Sequence, residues 1–70
     1  MKYTVDHWTG LYLVDLDGVI VGRELAGRNY SNHRTLSGAR RAVEHLNRLD
    51  PLGDYVVVDN TTGQIVDDQS

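Results

Sequence analysis

Residues 11–25 read LYLVDLDGVIVGREL and decide most of the fold. Leucine, tyrosine, valine and isoleucine dominate both ends of this stretch, and such residues suit extended strands. Asp17 and Gly18 stand between the two apolar runs, and an Asp-Gly pair supplies the positive φ angles of a tight hairpin turn. The stretch therefore predicts an antiparallel hairpin in which residues 11–16 pair with residues 19–25.

The residues before and after this hairpin predict further strands. Apolar and polar residues alternate from Tyr3 onward, and the pair Thr9-Gly10 indicates a turn before the hairpin. Residues 3–25 are therefore expected to hold three strands. Residues 54–66 carry the apolar run YVVV, a segment of turn-forming residues and the run QIV, which together predict a second hairpin.

A helix is expected over residues 36–49. Most of its apolar residues are spaced three apart, which places them along one face of a helix. These apolar positions are Leu36, Ala39, Ala42, Val43, Leu46 and Leu49. Thr35 or Ser37 is suited to cap the first turn, because a hydroxyl accepts a hydrogen bond from the free amides there. Pro51 ends the helix, since the residue before a proline avoids helical angles.

Together these elements predict one α+β domain over residues 1–70. The expected architecture is an antiparallel sheet of four or five strands with one helix packed on one face, in the order β-β-β-α-β-β. Residues 26–34 are expected to form a loop, and residues 67–70 a frayed tail. A chain of 70 residues offers no room for a second domain.

The absence of cysteine restricts both the chemistry and the compartment. Without cysteine the chain has no disulfides, no thiolate nucleophile and no cysteine zinc site. Small secreted domains usually depend on disulfides, so we expect a cytoplasmic location. The apolar runs are much shorter than the roughly 18 residues of a membrane span, so no membrane association is expected.

The segment YLVDLDGVI, residues 12–20, resembles the first motif of the haloacid-dehalogenase-like phosphatases. The resemblance implies that Asp15 attacks phosphorus and that Asp17 handles the leaving-group proton, both beside Mg²⁺. That family also needs a later lysine and a late acidic motif, whereas the only lysine here is Lys2. A hairpin turn explains the same aspartates. We therefore expect no catalytic residues, no metal and no cofactor, with a phosphatase remnant as one alternative.

The predicted loop carries the residue types that anchor interfaces, arginine and tyrosine. Its candidate contact residues are Arg28, Asn29, Tyr30, His33 and Arg34. Residues 22–48 contain six arginines, so a nucleic-acid-binding protein that uses this arginine-rich loop is a second alternative. The net charge of −3 weighs against general affinity for nucleic acid.

An acidic surface is a further candidate for partner contacts, because residues 49–70 contain five aspartates and no basic residue. The acidic candidates for partner contacts are Asp54, Asp59, Asp67 and Asp68. Trp8 is expected to fill the core rather than to act as a second anchor.

The closing pattern LSGARRAVEHLNRL, residues 36–49, and DYVVVDNTTGQIV, residues 54–66, resembles the short accessory proteins of bacteriophages and other mobile elements, among them anti-CRISPR inhibitors. The resemblance implies a small non-enzymatic module that binds a host protein complex and inhibits or modulates it. It also implies an acidic face that mimics nucleic-acid phosphates and occupies a basic groove of the partner, formed by Asp54, Asp59, Asp67 and Asp68. A homodimer is also expected, because self-association supplements a small core.

Overall fold

The computed structural model describes residues 1–66, which form a five-stranded antiparallel sheet with one helix on one face. The elements are β1 (Tyr3–Val14), β2 (Ile20–Leu25), β3 (Ser31–His33), α1 (Leu36–Leu49), β4 (Asp54–Asp59) and β5 (Gln64–Val66). The α+β class, the single helix and the element order β-β-β-α-β-β are therefore confirmed. Residues 67–70, for which the sequence predicts a frayed tail, lie outside the described residues.

Strand β1 is the centre of the sheet, and its two halves have different neighbours. The first half, residues 3–8, pairs with β4 on one side and with β3 on the other. The second half, residues 9–14, has only β2 as a neighbour, and β2 reaches back as far as Trp8. Strand β5 extends the sheet beyond β4. Strands β2 and β3 thus lie along the same side of β1, one after the other.

The prediction of a turn at Thr9-Gly10 is wrong, because β1 continues through both residues as one strand. Trp8 pairs with Leu25 and Tyr12 pairs with Arg23, so three residues of β1 lie opposite a single residue of β2. Gly10 adopts a φ of 89° within this bulge. A glycine at positive φ serves a bulge and a turn equally well, which is why the sequence pattern does not distinguish them.

The predicted loop 26–34 contains β3, which the sequence analysis missed. Ser31–His33 pairs with residues 3–5 of β1. A strand of three mostly polar residues carries no periodic signal of its own. Its extended shape comes from the hydrogen bonds that β1 offers at this position.

Helix α1 has the predicted bounds and the predicted cap. The hydroxyl of Thr35 accepts a hydrogen bond from the amide of Gly38 at 3.1 Å. Ala39 packs against Val5 and Val57 of the sheet to form the core. Leu49, expected on the buried face, is 71% exposed at the end of the helix. Within the described residues, this helix is too short and too polar to span a membrane.

Candidate functional site

The most exposed apolar part of the molecule is residues 11–21, which we call the arm. It comprises the second half of β1, the turn and the start of β2, and all of its residues are exposed. Eight large apolar side chains lie on it, with exposures from 48% at Leu13 to 105% at Leu16. They are Leu11, Tyr12, Leu13, Val14, Leu16, Val19, Ile20 and Val21. Helix α1 packs on β4, β3 and the first half of β1, so it leaves both faces of the arm uncovered.

The turn of the arm is held by the carboxylate of Asp15. Its Oδ1 accepts hydrogen bonds from the amides of Asp17 at 2.8 Å and Val19 at 3.0 Å. The amide of Asp15 donates to the carbonyl of Val19 at 3.0 Å, and Gly18 adopts a φ of 78°. Asp15 and Asp17, the aspartates of the phosphatase-like motif, therefore lie in a hairpin turn. Residues 1–66 contain no group of three or more potential metal ligands.

The base of the arm is braced by aromatic contacts around Trp8. The indole Nε1 donates to the carbonyl of Leu11 at 2.9 Å, which spans the bulge in β1. The Tyr12 ring packs edge-on against the Trp8 ring, with 5.3 Å between the centroids. The Arg23 guanidinium lies 5.5 Å from the Trp8 ring centroid. Trp8, expected in the core, is instead half-buried and joins the arm to the sheet.

A groove of about 480 Å³ lies between the arm and the start of β5. Its apolar lining includes Leu13, Ile20 and Val21 from the arm and Ile65 from β5, and Arg23 adds a positive charge. Val66 belongs to the core beneath α1, so the alternation of side chains places Ile65 on the opposite face of the sheet. The groove therefore lies on the side of the sheet away from the helix.

The predicted contact loop is fixed to the sheet by Asp6, a residue that the sequence analysis did not single out. Asp6 is 8% exposed, and its Oδ1 accepts from the amides of His7 at 2.7 Å and Arg28 at 3.1 Å. The amide of Tyr30 donates to the carbonyl of Val5 at 3.1 Å. An aspartate between valine and histidine in a strand gives no sequence signal for this role.

The structure brings the predicted loop residues to one edge of the sheet but exposes them unequally. Arg28, Asn29 and Arg34 are exposed, and the Asn29 amide nitrogen donates to the side-chain oxygen of Asn32 at 3.1 Å. The Tyr30 ring is 39% exposed and packs edge-on against Tyr55, with 5.2 Å between ring centroids. The arginines and Asn29 are therefore the most accessible part of the loop.

His33 is half-buried and contacts Ser31, with 2.8 Å between Nε2 and Oγ. A serine beside a histidine is the first pair of a nucleophilic triad. Among residues 1–66, no carboxylate hydrogen-bonds the Nδ1 of His33 to orient the ring. The pair therefore does not provide a catalytic triad in the described part of the chain.

The two described aspartates of the predicted acidic surface lie apart on β4. Asp54 and Asp59 stand at its two ends, opposite Trp8 and Tyr3 respectively, and alternation puts them on opposite faces. The Oδ1 of Asp59 also accepts from the Thr61 amide at 2.8 Å. These two aspartates do not share a surface, while Asp67 and Asp68 lie outside the described residues.

Tyr55 donates its hydroxyl to the carboxylate of Asp50 at 3.2 Å. Desolvation raises the pKa of Tyr55 above its ordinary 10.0, and the hydrogen bond and negative charge of Asp50 raise it further. The phenol is therefore neutral near pH 7 and keeps its hydrogen bond. This contact links the end of α1 to β4 and is structural.

A scan against family models finds no match, and neither a curated protein nor a solved structure matches the chain.

Proposed function

We propose that this chain is a small non-enzymatic protein-binding module whose contact surface is the arm. The observation that carries the proposal is the exposure of eight large apolar side chains on one two-stranded projection. Monomeric proteins rarely expose a contiguous apolar patch of more than about 300–600 Å², and larger patches mark interaction sites. A chain with so small a core gains no stability from leaving these side chains in water.

The chemistry of the arm favours a protein partner over a small molecule or a nucleic acid. Small-molecule sites enclose most of their ligand, whereas the arm presents apolar side chains on two opposite faces. Its tip carries Asp15 and Asp17, and the first basic residue after them is Arg23. An acidic, apolar tip repels phosphates and suits an apolar protein surface.

The finer form of the proposal is an accessory protein of a phage or another mobile element that occupies a host protein complex in the cytoplasm. The small size and the absence of a catalytic triad or metal cluster in residues 1–66 support a role in binding. The loop with exposed Arg28 and Arg34 follows β2 along the same side of β1. It therefore presents charge beside the first residues of β1, and charged residues are common at the rims of protein interfaces.

The test is an affinity capture from bacterial lysate with two matched leucine variants. Leu16 and Leu52 both lie in turns and are 105% and 92% exposed, so Leu16→Ser and Leu52→Ser should both leave the fold intact. We expect the wild-type chain and Leu52→Ser to capture the same protein in stoichiometric amount, and Leu16→Ser to lose it. Capture of this protein should persist after the lysate is treated with nuclease.

Two results would contradict the proposal. Equal capture by both leucine variants would show that the arm is not the contact surface. Capture that nuclease abolishes, and that the Arg28→Ala and Arg34→Ala substitutions weaken, would favour nucleic-acid binding through the loop.

A further inference from the structure

We infer that the partner of the arm is a second copy of the chain, and that the tip of each arm docks in the groove of the other. This inference rests on the proposed use of the arm as a protein-contact surface and names its occupant. The dimer then contacts a host protein through its exposed loops, and Leu16→Ser loses that protein because it dissociates the dimer. The tip is the segment Asp15–Asp17, and the groove is the one between the arm and β5. Two copies related by a two-fold axis make both contacts at once, which closes the assembly as a dimer.

The tip is a preformed apolar projection. Leu16 is fully exposed at 105%, and the two hydrogen bonds to the Asp15 carboxylate fix the turn around it. A rigid projection loses little conformational entropy when it binds, so more of the burial of Leu16 appears as affinity.

The groove complements this tip in shape and in polarity. Its volume of about 480 Å³ exceeds that of a leucine side chain, and Leu13, Ile20 and Ile65 provide apolar walls. A leucine that enters it exchanges water for aliphatic contacts on both sides.

The charges of the tip and the groove are opposite. Arg23 lines the groove, and its guanidinium lies 5.5 Å from the centroid of the Trp8 ring. At the tip, the Asp15 carboxylate is engaged by two amides of its own turn. Asp17 is therefore the carboxylate suited to meet Arg23 of a second copy.

The amount of apolar surface also fits a dimer. Within residues 1–66 only four apolar residues are buried, namely Val5, Ala39, Val57 and Val58. The arm exposes twice as many large apolar side chains, and a stable interface buries about 800 Å² on each partner. Reciprocal docking of the arms would supply the burial that the isolated fold lacks.

The backbone of β2 favours docking by side chains over extension of the sheet. Leu13 pairs with Gly22 and Val14 pairs with Ile20, so Val21 is an extra residue on β2. Such a bulge interrupts the row of hydrogen-bonding groups on the free edge of the strand. A second copy is thus better received in the groove than alongside β2.

Sedimentation equilibrium of the purified chain tests the inference directly. We expect the wild-type chain to show a dimer mass, and Leu52→Ser to show the same. Leu16→Ser should raise the dimer dissociation constant by at least about 100-fold, because each dimer loses two buried leucines. A monomer mass for the wild type at all concentrations, or an unchanged dimer in Leu16→Ser, would overturn the inference.

A charge exchange tests the contact between Asp17 and Arg23. Asp17→Arg and Arg23→Asp should each weaken the dimer by about tenfold or more, because each places like charges in contact. Mixing the two variants should restore the dimer, since both contacts in the mixed species again join opposite charges. Dimerisation of each single variant at the wild-type strength would contradict this arrangement.

The two proposals fail in different ways. A monomeric wild-type chain whose arm still captures another protein would overturn the self-association alone. A dimer that Leu16→Ser disrupts, without any protein captured through the arm or the loop, would leave the self-association and overturn the finer role toward a host complex.

Discussion

The two halves of β1 place the same kind of residue in opposite environments. Val5 in the first half is fully buried between β3, β4 and α1, whereas Val14 in the second half is 58% exposed. Both valines belong to one continuous strand. The comparison shows that neighbouring elements, and not the hydrophobicity of the strand itself, determine which half forms the core.

The sequence pattern of the two halves even points the other way. The first half alternates apolar and polar residues, as in a strand with one solvated face. The second half is the unbroken apolar run LYLV, which is typical of a strand buried on both faces. The sequence of the arm is typical of a buried strand, yet no other element of the fold covers the arm. This mismatch supports an intermolecular role for the arm.

The largest expected loss of stability follows from removing the carboxylate of Asp6, in the first half of β1. Asp6→Ala leaves the amides of His7 and Arg28 without their acceptor, and a buried unsatisfied donor costs about 1–3 kcal/mol. We expect a loss of about 3 kcal/mol in the free energy of unfolding, measured by urea denaturation. Asp54→Ala, at an exposed position, is the control and should change stability by less than about 0.5 kcal/mol. Equal losses in both variants would refute this role of Asp6.

The same substitution in the two halves of β1 tests the comparison itself. Val5→Ala removes buried methyl groups and should lower the free energy of unfolding by about 2 kcal/mol. Val14→Ala should change it by less than about 0.5 kcal/mol, because the side chain is exposed. Denaturation at low protein concentration measures both values without a contribution from dimers. Comparable losses would mean that the arm is packed within the monomer.

The bulge between the two halves of β1 depends on Gly10. A side chain at a φ of 89° is strained, so Gly10→Ala should destabilise the chain by about 1–2 kcal/mol. A Cβ at Gly10 meets no atom within 4 Å, so the cost arises from the backbone rather than from a clash. Gly22→Ala is the matched control on the arm, since its Cβ would make an ordinary 3.8 Å contact with Leu13. Thermal unfolding that ranks these two variants in the reverse order would contradict the bulge.

The smallest effect is the alkaline titration of Tyr55. Its pKa is raised in the folded state, so its contribution to stability is complete below pH 10.0 and is lost as the pH rises through the folded pKa. Ultraviolet absorbance of tyrosinate should show a late step from Tyr55. Tyr55→Phe should remove that step, and Asp50→Asn should move it to lower pH. A late step that persists in Tyr55→Phe would assign it to another residue.

Elements with a strong local signal were predictable from the sequence. Helix α1 has an apolar face and a threonine cap, and its bounds agree with the prediction. The hairpin at Asp17-Gly18 was predicted, but its strands end earlier than expected, because Val14 and Ile20 form the last pair and residues 15–19 form the turn. Only Gly18 has a positive φ there, so the turn is wider than the tight Asp-Gly turn of the prediction. Both features depend on residues close together in the chain.

Features that depend on distant residues were not predictable. Strand β3 exists because residues 3–5 offer it hydrogen bonds, and Asp6 receives the amide of a residue 22 positions away. The groove brings residues 12–25 together with residues 63–65, which are distant from them in the chain. The arm residues were recognised as strands, but their exposure follows from the position of the single helix.

The place of β1 in the chain also fixes an order of events during synthesis. The arm joins residues close in sequence, such as Tyr12 and Arg23, and hairpins of this kind form within microseconds. The first half of β1 needs β4, whose Asp59 pairs with Tyr3, so its sheet closes only after residues 54–59 have also left the ribosome. We expect the apolar arm to form before the first half of β1 is covered. Neighbouring chains on one messenger would then meet through their arms before their cores are complete.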